Sequence, residues 1–144
     1  MPSWIDIENQ AQAGELLRNF RWEDGFVREL HLVSPSYVTR EPRSVVAWGA
    51  YPTARALITT QGAAPPAVEL LFVGIQDLEL WFRGDLDPAV SLEEGCVEWR
   101  FHKDSPSAVR CSSLRYAWPD PSCLGYALRY GREHVFDRGG SPVL

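Results

Sequence analysis

The amino-acid sequence predicts a mainly β (α+β) domain: an antiparallel sandwich or partly open barrel of seven or eight strands with one N-terminal helix. Three observations carry this expectation. Only Ser3 to Phe20 has helical patterning. From Phe26 to Tyr130 the chain is a succession of short alternating segments divided at close intervals by turn residues. No helical stretch lies between those segments to serve as the crossover that a parallel sheet requires.

In chain order, Ser3 stands in N-cap position, Asp6 three residues on completes a capping box, and Glu8 complements the positive end of the helix dipole. Ile5, Ala13, Leu16, Leu17 and Phe20 form the apolar stripe, and Gly14 weakens the helix by about 1 kcal/mol relative to Ala. Arg21 to Gly25, RWEDG, is a turn. Phe26 to Val33 is a strand with Phe26, Leu30 and Leu32 inward, its alternation interrupted at Arg28. Pro35 and Pro42 bracket a connection or short edge strand at Tyr37 and Val38; Ser44 to Trp48 and Ala54 to Thr60 are strands; Gln61 to Ala67 is a loop, because Pro65 and Pro66 cannot donate to a ladder.

The centre of the pattern is Val68 to Phe82, VELLFVGIQDLELWF, which reads as two strands broken at Gly74. Leu78, Leu80 and Phe82 share one face of the second strand, and Asp77 and Glu79 the other. Arg83 to Gly95 reads as a long acidic loop. Cys96 to Lys103 sets Val97, Trp99 and Phe101 opposite Cys96, Glu98, Arg100 and His102. Ala108 to Trp118 and Ser122 to Tyr130 are further strands, and Gly131 to Leu144 is a fraying tail.

At 144 residues, 45% hydrophobic and 23% charged, the chain has the size and composition of one globular domain covering residues 1–144. Helix 3–20 and a β-rich part, 26–130, precede the tail, 131–144. The net charge of -5 is unevenly spread: residues 1–95 hold seven Arg against fourteen acids, net -7, and residues 96–144 hold seven basic residues against five acids, net +2. No concentrated cationic stripe exists to displace counterions from phosphates, which argues against nucleic acid as a partner. No window reaches the ~18 apolar residues of a spanning helix. Three widely spaced cysteines without a C-x-x-C pair, and an acidic N-terminal stretch without a signal peptide, point to a cytoplasmic protein. Thirteen Arg to one Lys suggests a GC-rich bacterial genome. An exposed sheet edge leaves homodimerisation open.

Two clusters are candidates for partner binding. Trp22, Glu23 and Asp24 place an aromatic beside two acids where helix meets sheet; Asp85, Asp87, Glu93 and Glu94 form an acidic stretch that would steer a cationic partner. Cys96, Glu98 and His102 share a strand face but lack a recognised zinc spacing, so no metal is assigned. Neither a nucleophile elbow, a phosphate loop nor a dinucleotide fingerprint is present, and Cys111 reads as a small core hydrophobe. No catalytic residue or cofactor is assigned.

Phe20 to Leu30, FRWEDGFVREL, followed by the Gly-interrupted VELLFVGIQDLELWF and a run of strands, resembles a group of small uncharacterised bacterial proteins, some grouped with polymorphic-toxin immunity proteins. In that group a helix and an F-H-D-small motif lead into the first strand. Asp24-Gly25 matches the Asp and the small residue, whereas Glu23 stands where His is usual, so no role of that His carries over. The resemblance implies a non-enzymatic protein-binding module, immunity-like, covering a basic surface of a toxin. The alternative expectation is a small-ligand binder with Trp48, Trp81, Trp99 or Trp118 lining a pocket.

Overall fold

The structure, a computed structural model, describes residues 3–33, 37–38, 44–45, 51–61, 65–80 and 85–120. The expected strand Ser122 to Tyr130, the tail, Trp48, Trp81 and Cys123 lie outside the described residues.

The chain enters through a strand, not a helix. β1, Ile5–Asp6, pairs with the far end of the last described strand, Ile5 opposite Tyr116 and Asp6 opposite Arg115. Arg115 Nε donates to Asp6 Oδ1 at 2.7 Å, and the Ile7 N–H reaches the Leu114 carbonyl at 3.0 Å. The helix α1 is therefore Gln10–Arg18, shorter than the expected 3–20, and its N-cap is Asn9 in place of Ser3. Asn9 has extended backbone and its Oδ1 accepts from Gln12 N–H at 2.9 Å, satisfying one of the helix's orphan donors. At the other end Asn19 N–H bonds back to the Glu15 and Leu16 carbonyls. A 3-10 turn, Trp22–Asp24, then leads directly into β2, Gly25–Val33.

The remaining strands are β3, Tyr37–Val38, β4, Ser44–Val45, β5, Thr53–Thr60, β6, Ala67–Glu79, β7, Ala89–Glu93, β8, Cys96–Arg100, and β9, Ala108–Ala117. β3 and β4 pair with each other; the other seven form one antiparallel sheet in the order β2-β5-β6-β9-β8-β7, with β1 beside β9. β2 and β7 stand at its two ends among the described residues, so the sheet is open. The mainly β architecture with one helix is that expected from the alternation.

Two irregularities explain where the alternation misleads. In β2 the register shifts between Val27 and Glu29, making Arg28 the extra residue of a bulge. Val27 and Leu30 therefore both pack toward the core, while Phe26, expected inward, is 46% exposed; Leu32 lies on the inner side but at the strand's end, 48% exposed. In β6 the expected break at Gly74 is instead a change of phase inside one continuous strand of 13 residues. Val68, Leu70 and Phe72 face the core, then Ile75, then Leu78. Gly74 has φ +69°, and a Cβ there would lie 2.6 Å from Ser112 Oγ, so only glycine fits. A bulge at Gln76 follows, between Ile75 and Asp77. Opposite, β9 changes phase too, turning Cys111 and then Leu114 inward.

The expected loop from Arg83 to Gly95 contains β7, whose alternation Val90, Leu92 inward and Ser91, Glu93 outward is that of a half-buried edge strand. Glu94 and Gly95, the latter at φ +71°, make its two-residue turn into β8.

One face of the sheet is closed by α1 and the 3-10 turn. Ala13, Leu16, Phe20 and Trp22 join Phe72, Trp99, Phe101 and Leu114 in a single core. Trp99 is fully buried, edge-on to Phe101 at 6.0 Å and to Phe72 at 6.5 Å. Each such pair contributes about 0.5–1.5 kcal/mol beyond area burial. Among the described residues no helix is long and apolar enough to cross a membrane.

Candidate functional site

The face of the sheet away from α1 carries the charges. Because residues two apart on a strand share a face, the register builds a small lattice across β6, β9 and β8. In one row Asp77 lies opposite Arg110, and Arg110 opposite Glu98; in the next, Glu79 lies opposite Ala108, and Ala108 opposite Arg100. Neighbouring strands are about 4.8 Å apart, so side chains along each row are adjacent. The small Ala108 between long neighbours leaves an open concavity of about 290 Å³, bordered by Asp77, Glu79, Arg100, Arg110 and Pro106.

The two arginines are held within the lattice. Arg100 forms an ion pair with Glu98 at 2.8 Å and donates to the Ser105 carbonyl at 2.9 Å. Arg110 donates to Cys96 Sγ at 3.7 Å. That contact, together with the charges of Glu98 and Glu93, holds the Arg110 guanidinium above its ordinary pKa. The carboxylates of Asp77 and Glu79 are open to water; Asp77 Oδ1 accepts the Leu78 N–H at 3.0 Å. Glu93, opposite Cys96, continues the same face at the hairpin end. Four acids, Asp77, Glu79, Glu93 and Glu98, thus face two arginines, leaving the surface net acidic.

Of the residues singled out from sequence for partner binding, only Glu93 belongs to this lattice. Trp22 is not a surface anchor: it is 5% exposed, 4.7 Å edge-on from Phe20 and 5.3 Å from Trp99. The 3-10 turn is the cause, since it rotates Trp22 into the core and leaves Glu23 and Asp24 outside, each 3.6 Å from Arg21. Exposed pairs of that kind contribute about 0–1 kcal/mol. Asp85 and Asp87 are exposed just ahead of β7, where Asp87 pairs with Lys103 at 3.3 Å. Asp87 and Glu93 are separated along the edge strand by about 20 Å at ~3.3 Å per residue, so the acidic stretch is two patches. Glu94 is exposed in the turn beside Glu93.

Among the described residues no tryptophan lines the concavity. Trp99 is in the core, and Trp118 is half-buried against Phe20 and Tyr116. Cys111 is buried, its thiol directed at the Val97 carbonyl at 3.7 Å, and burial pushes its pKa up to about 12. It is a neutral core group. Among the described residues no three His, Cys, Asp or Glu side chains are grouped to hold a metal ion.

Asp77, Glu79 and Arg110 were missed as a site because the signal that unites them is strand adjacency. Asp77 and Glu79 are legible as the outer face of their strand, and Glu98 and Arg100 as that of theirs. Only the β6-β9-β8 order joins the two. Comparison with known protein families, with curated proteins and with solved structures finds no match for the chain.

Proposed function

We propose that the protein is a non-enzymatic binding module that engages a cationic protein surface through the outer face of β6, β9, β8 and β7, in the manner of an immunity protein covering a toxin domain. The observation that carries this reading is the open, net acidic concavity over Ala108, in which the carboxylates of Asp77 and Glu79 remain exposed to water while both neighbouring arginines already have partners. Complementary charge of this kind speeds encounter and selects partners more than it adds raw affinity. The hairpin acids Glu93 and Glu94 extend the field at one end.

The test is capture from a native bacterial lysate with the tagged chain and with its Asp77→Lys/Glu79→Lys/Glu93→Lys variant, both shown to be folded by circular dichroism. One stoichiometric basic protein retained by the wild type and lost by the variant is the expected result. Equal capture by both, or no basic protein on the wild type, overturns the reading.

A further inference from the structure

We infer that β7 is the edge through which two copies of this chain pair, strand against strand, about a two-fold axis at Ser91. The hydrogen bonds around β7 fix which way its backbone points. Glu93 and Cys96 flank a two-residue turn, so Glu93, Ser91 and Ala89 direct their N–H and C=O groups at Cys96, Glu98 and Arg100 of β8. Asp87 continues the series: its N–H reaches the Phe101 carbonyl at 3.1 Å, and its carbonyl accepts the Lys103 N–H at 2.8 Å. Val90 and Leu92, the residues between, therefore turn their backbone groups away from the sheet. Gln10 Nε2, at the start of α1, approaches the Val90 carbonyl from that outer side at 3.5 Å. Among the described residues no strand lies there. Pro88 has no N–H to offer, so the usable edge runs from Val90 to Leu92.

This edge is complementary to itself. Laid antiparallel on a second copy with Ser91 opposite Ser91, it sets Val90 against the other copy's Leu92 and Leu92 against its Val90, and each pair exchanges its backbone hydrogen bonds. On the inner side Val90 and Leu92 are only partly buried, and the pairing covers each with the other's apolar side chain. On the outer side Glu93 comes beside the second copy's Ala89, whose neighbour on β8 is Arg100. The backbones of Glu93 and that arginine are then roughly 10 Å apart, a span their two side chains close over the methyl of Ala89. A guanidinium has donors to spare beyond those that Arg100 gives to Glu98 and the Ser105 carbonyl. Asp87, the nearest opposing acid, is offset by Lys103 at 3.3 Å. Ser91 is small and exposed, so no bulk at the axis holds the strands apart. At the other end of the sheet the bulge at Arg28 spoils the even spacing of β2, which leaves β7 as the edge fit for pairing. Asp77 and Glu79, two strands in, stay uncovered in the pair.

The test is sedimentation equilibrium of the full chain from about 10 µM to about 1 mM, with amide hydrogen exchange measured at both ends of that range. A monomer–dimer equilibrium with a Kd of roughly 100 µM is expected, weak because the interface is short, and exchange at Val90 and Leu92 slows as concentration rises. Ser91→Lys and Ser91→Asp each weaken self-association by about tenfold or more, since the axis sets like charges directly opposite each other. Mixed in equal amounts, the two variants associate with one another within about threefold of wild type, because the axis now carries opposite charges. Position 91 is exposed, so the circular dichroism of both variants matches wild type. A wild-type chain that stays monomeric throughout, a dimer indifferent to either substitution, or a mixture that fails to associate overturns the inference. Protection of Val90 and Leu92 that arises only with a captured basic protein gives the edge to a foreign strand and overturns it too. Failure here is separable from failure of the acidic-face reading: a monomer that still captures a basic protein removes the self-pairing alone, and a dimer that captures none removes the partner alone.

Discussion

The two ends of β6 carry similar chemistry on the same face and put it to different uses. At one end Glu69 is completely buried and pairs with Arg55 at 3.1 Å, with the Trp4 ring 5.8 Å from the guanidinium. Leu57, Ala67 and Ala117 around it are buried as well. At the other end Asp77 and Glu79 stand in water beside Arg110 and Ala108. Between the two, Gly74 and the bulge at Gln76 shift the strand's phase so that both sets of charges stay on the outer side while Phe72 and Ile75 both reach the core. Burial decides the role. A carboxylate taken out of water must keep its partner for the fold to stand, and one left in water is free to exchange its partner for another molecule's cation.

The largest effect is expected at the closed end. Glu69→Ala removes a fully buried carboxylate and its 3.1 Å pair with Arg55 and is expected to cost about 3–5 kcal/mol in urea unfolding, whereas the double replacement Arg55→Met/Glu69→Leu recovers most of that loss. A loss under about 1 kcal/mol for the single variant would place Glu69 in the same class as the open acids and dissolve the contrast.

The join is next. Gly74→Ala meets two obstacles: a positive φ that costs an L-residue about 1–2 kcal/mol, and the Ser112 hydroxyl where the methyl must go. Ser112→Gly in the same chain relieves the second obstacle but not the first, so thermal melts of the single and double variants are expected to separate them. Full rescue by Ser112→Gly would show that the left-handed backbone at Gly74 is not needed.

Cys111 lies under the join, opposite Ile75, and gives the comparison a pH axis. Below pH 9 folded and unfolded chains both hold the thiol proton. Between the ordinary value of 9.0 and the folded value of about 12, only the folded chain holds it, so the unfolded state gains and stability falls as pH rises. By pH 10.5 the loss from this group is roughly 2 kcal/mol, and it is absent in Cys111→Ala. Tyr116, raised chiefly by burial, adds a further decline above pH 10 in both proteins. Identical alkaline profiles for the two would mean that the Cys111 site is wet.

What was legible in the sequence follows the range of the interactions involved. Alternation within a strand is local, so Val97, Trp99 and Phe101 inward against Glu98 and Arg100 outward is readable and correct, as is Cys111 in the core. The helix start is not, because Ser3 and Asn9 are both good caps. The choice between them is made by Tyr116 and Arg115, which pair with Ile5 and Asp6 from the other end of the chain. Gly74 is likewise ambiguous: a glycine among alternating residues marks a strand break or a phase change, and Ser112 on the neighbouring strand decides. The acids of the candidate site were visible one strand at a time, and their meeting over Ala108 depends on β9 lying between β6 and β8.

The smallest stability effect belongs to the open end. Asp77→Asn/Glu79→Gln removes two charges that water already solvates, and the unfolding midpoint is expected to correspond to a change within about 0.5 kcal/mol. Because Asp77 flanks Arg110 and Glu79 does not, Asp77→Asn is expected to account for most of any loss, while Glu79→Gln is neutral or slightly stabilising by relieving repulsion from Asp77 two residues away. A combined loss above about 2 kcal/mol would mean that the lattice holds the sheet together, and charges the fold depends on are poor candidates for exchange with a partner. A near-zero change in stability, alongside loss of the captured basic protein in the same variant, is the pattern that separates a surface kept for binding from one kept for folding.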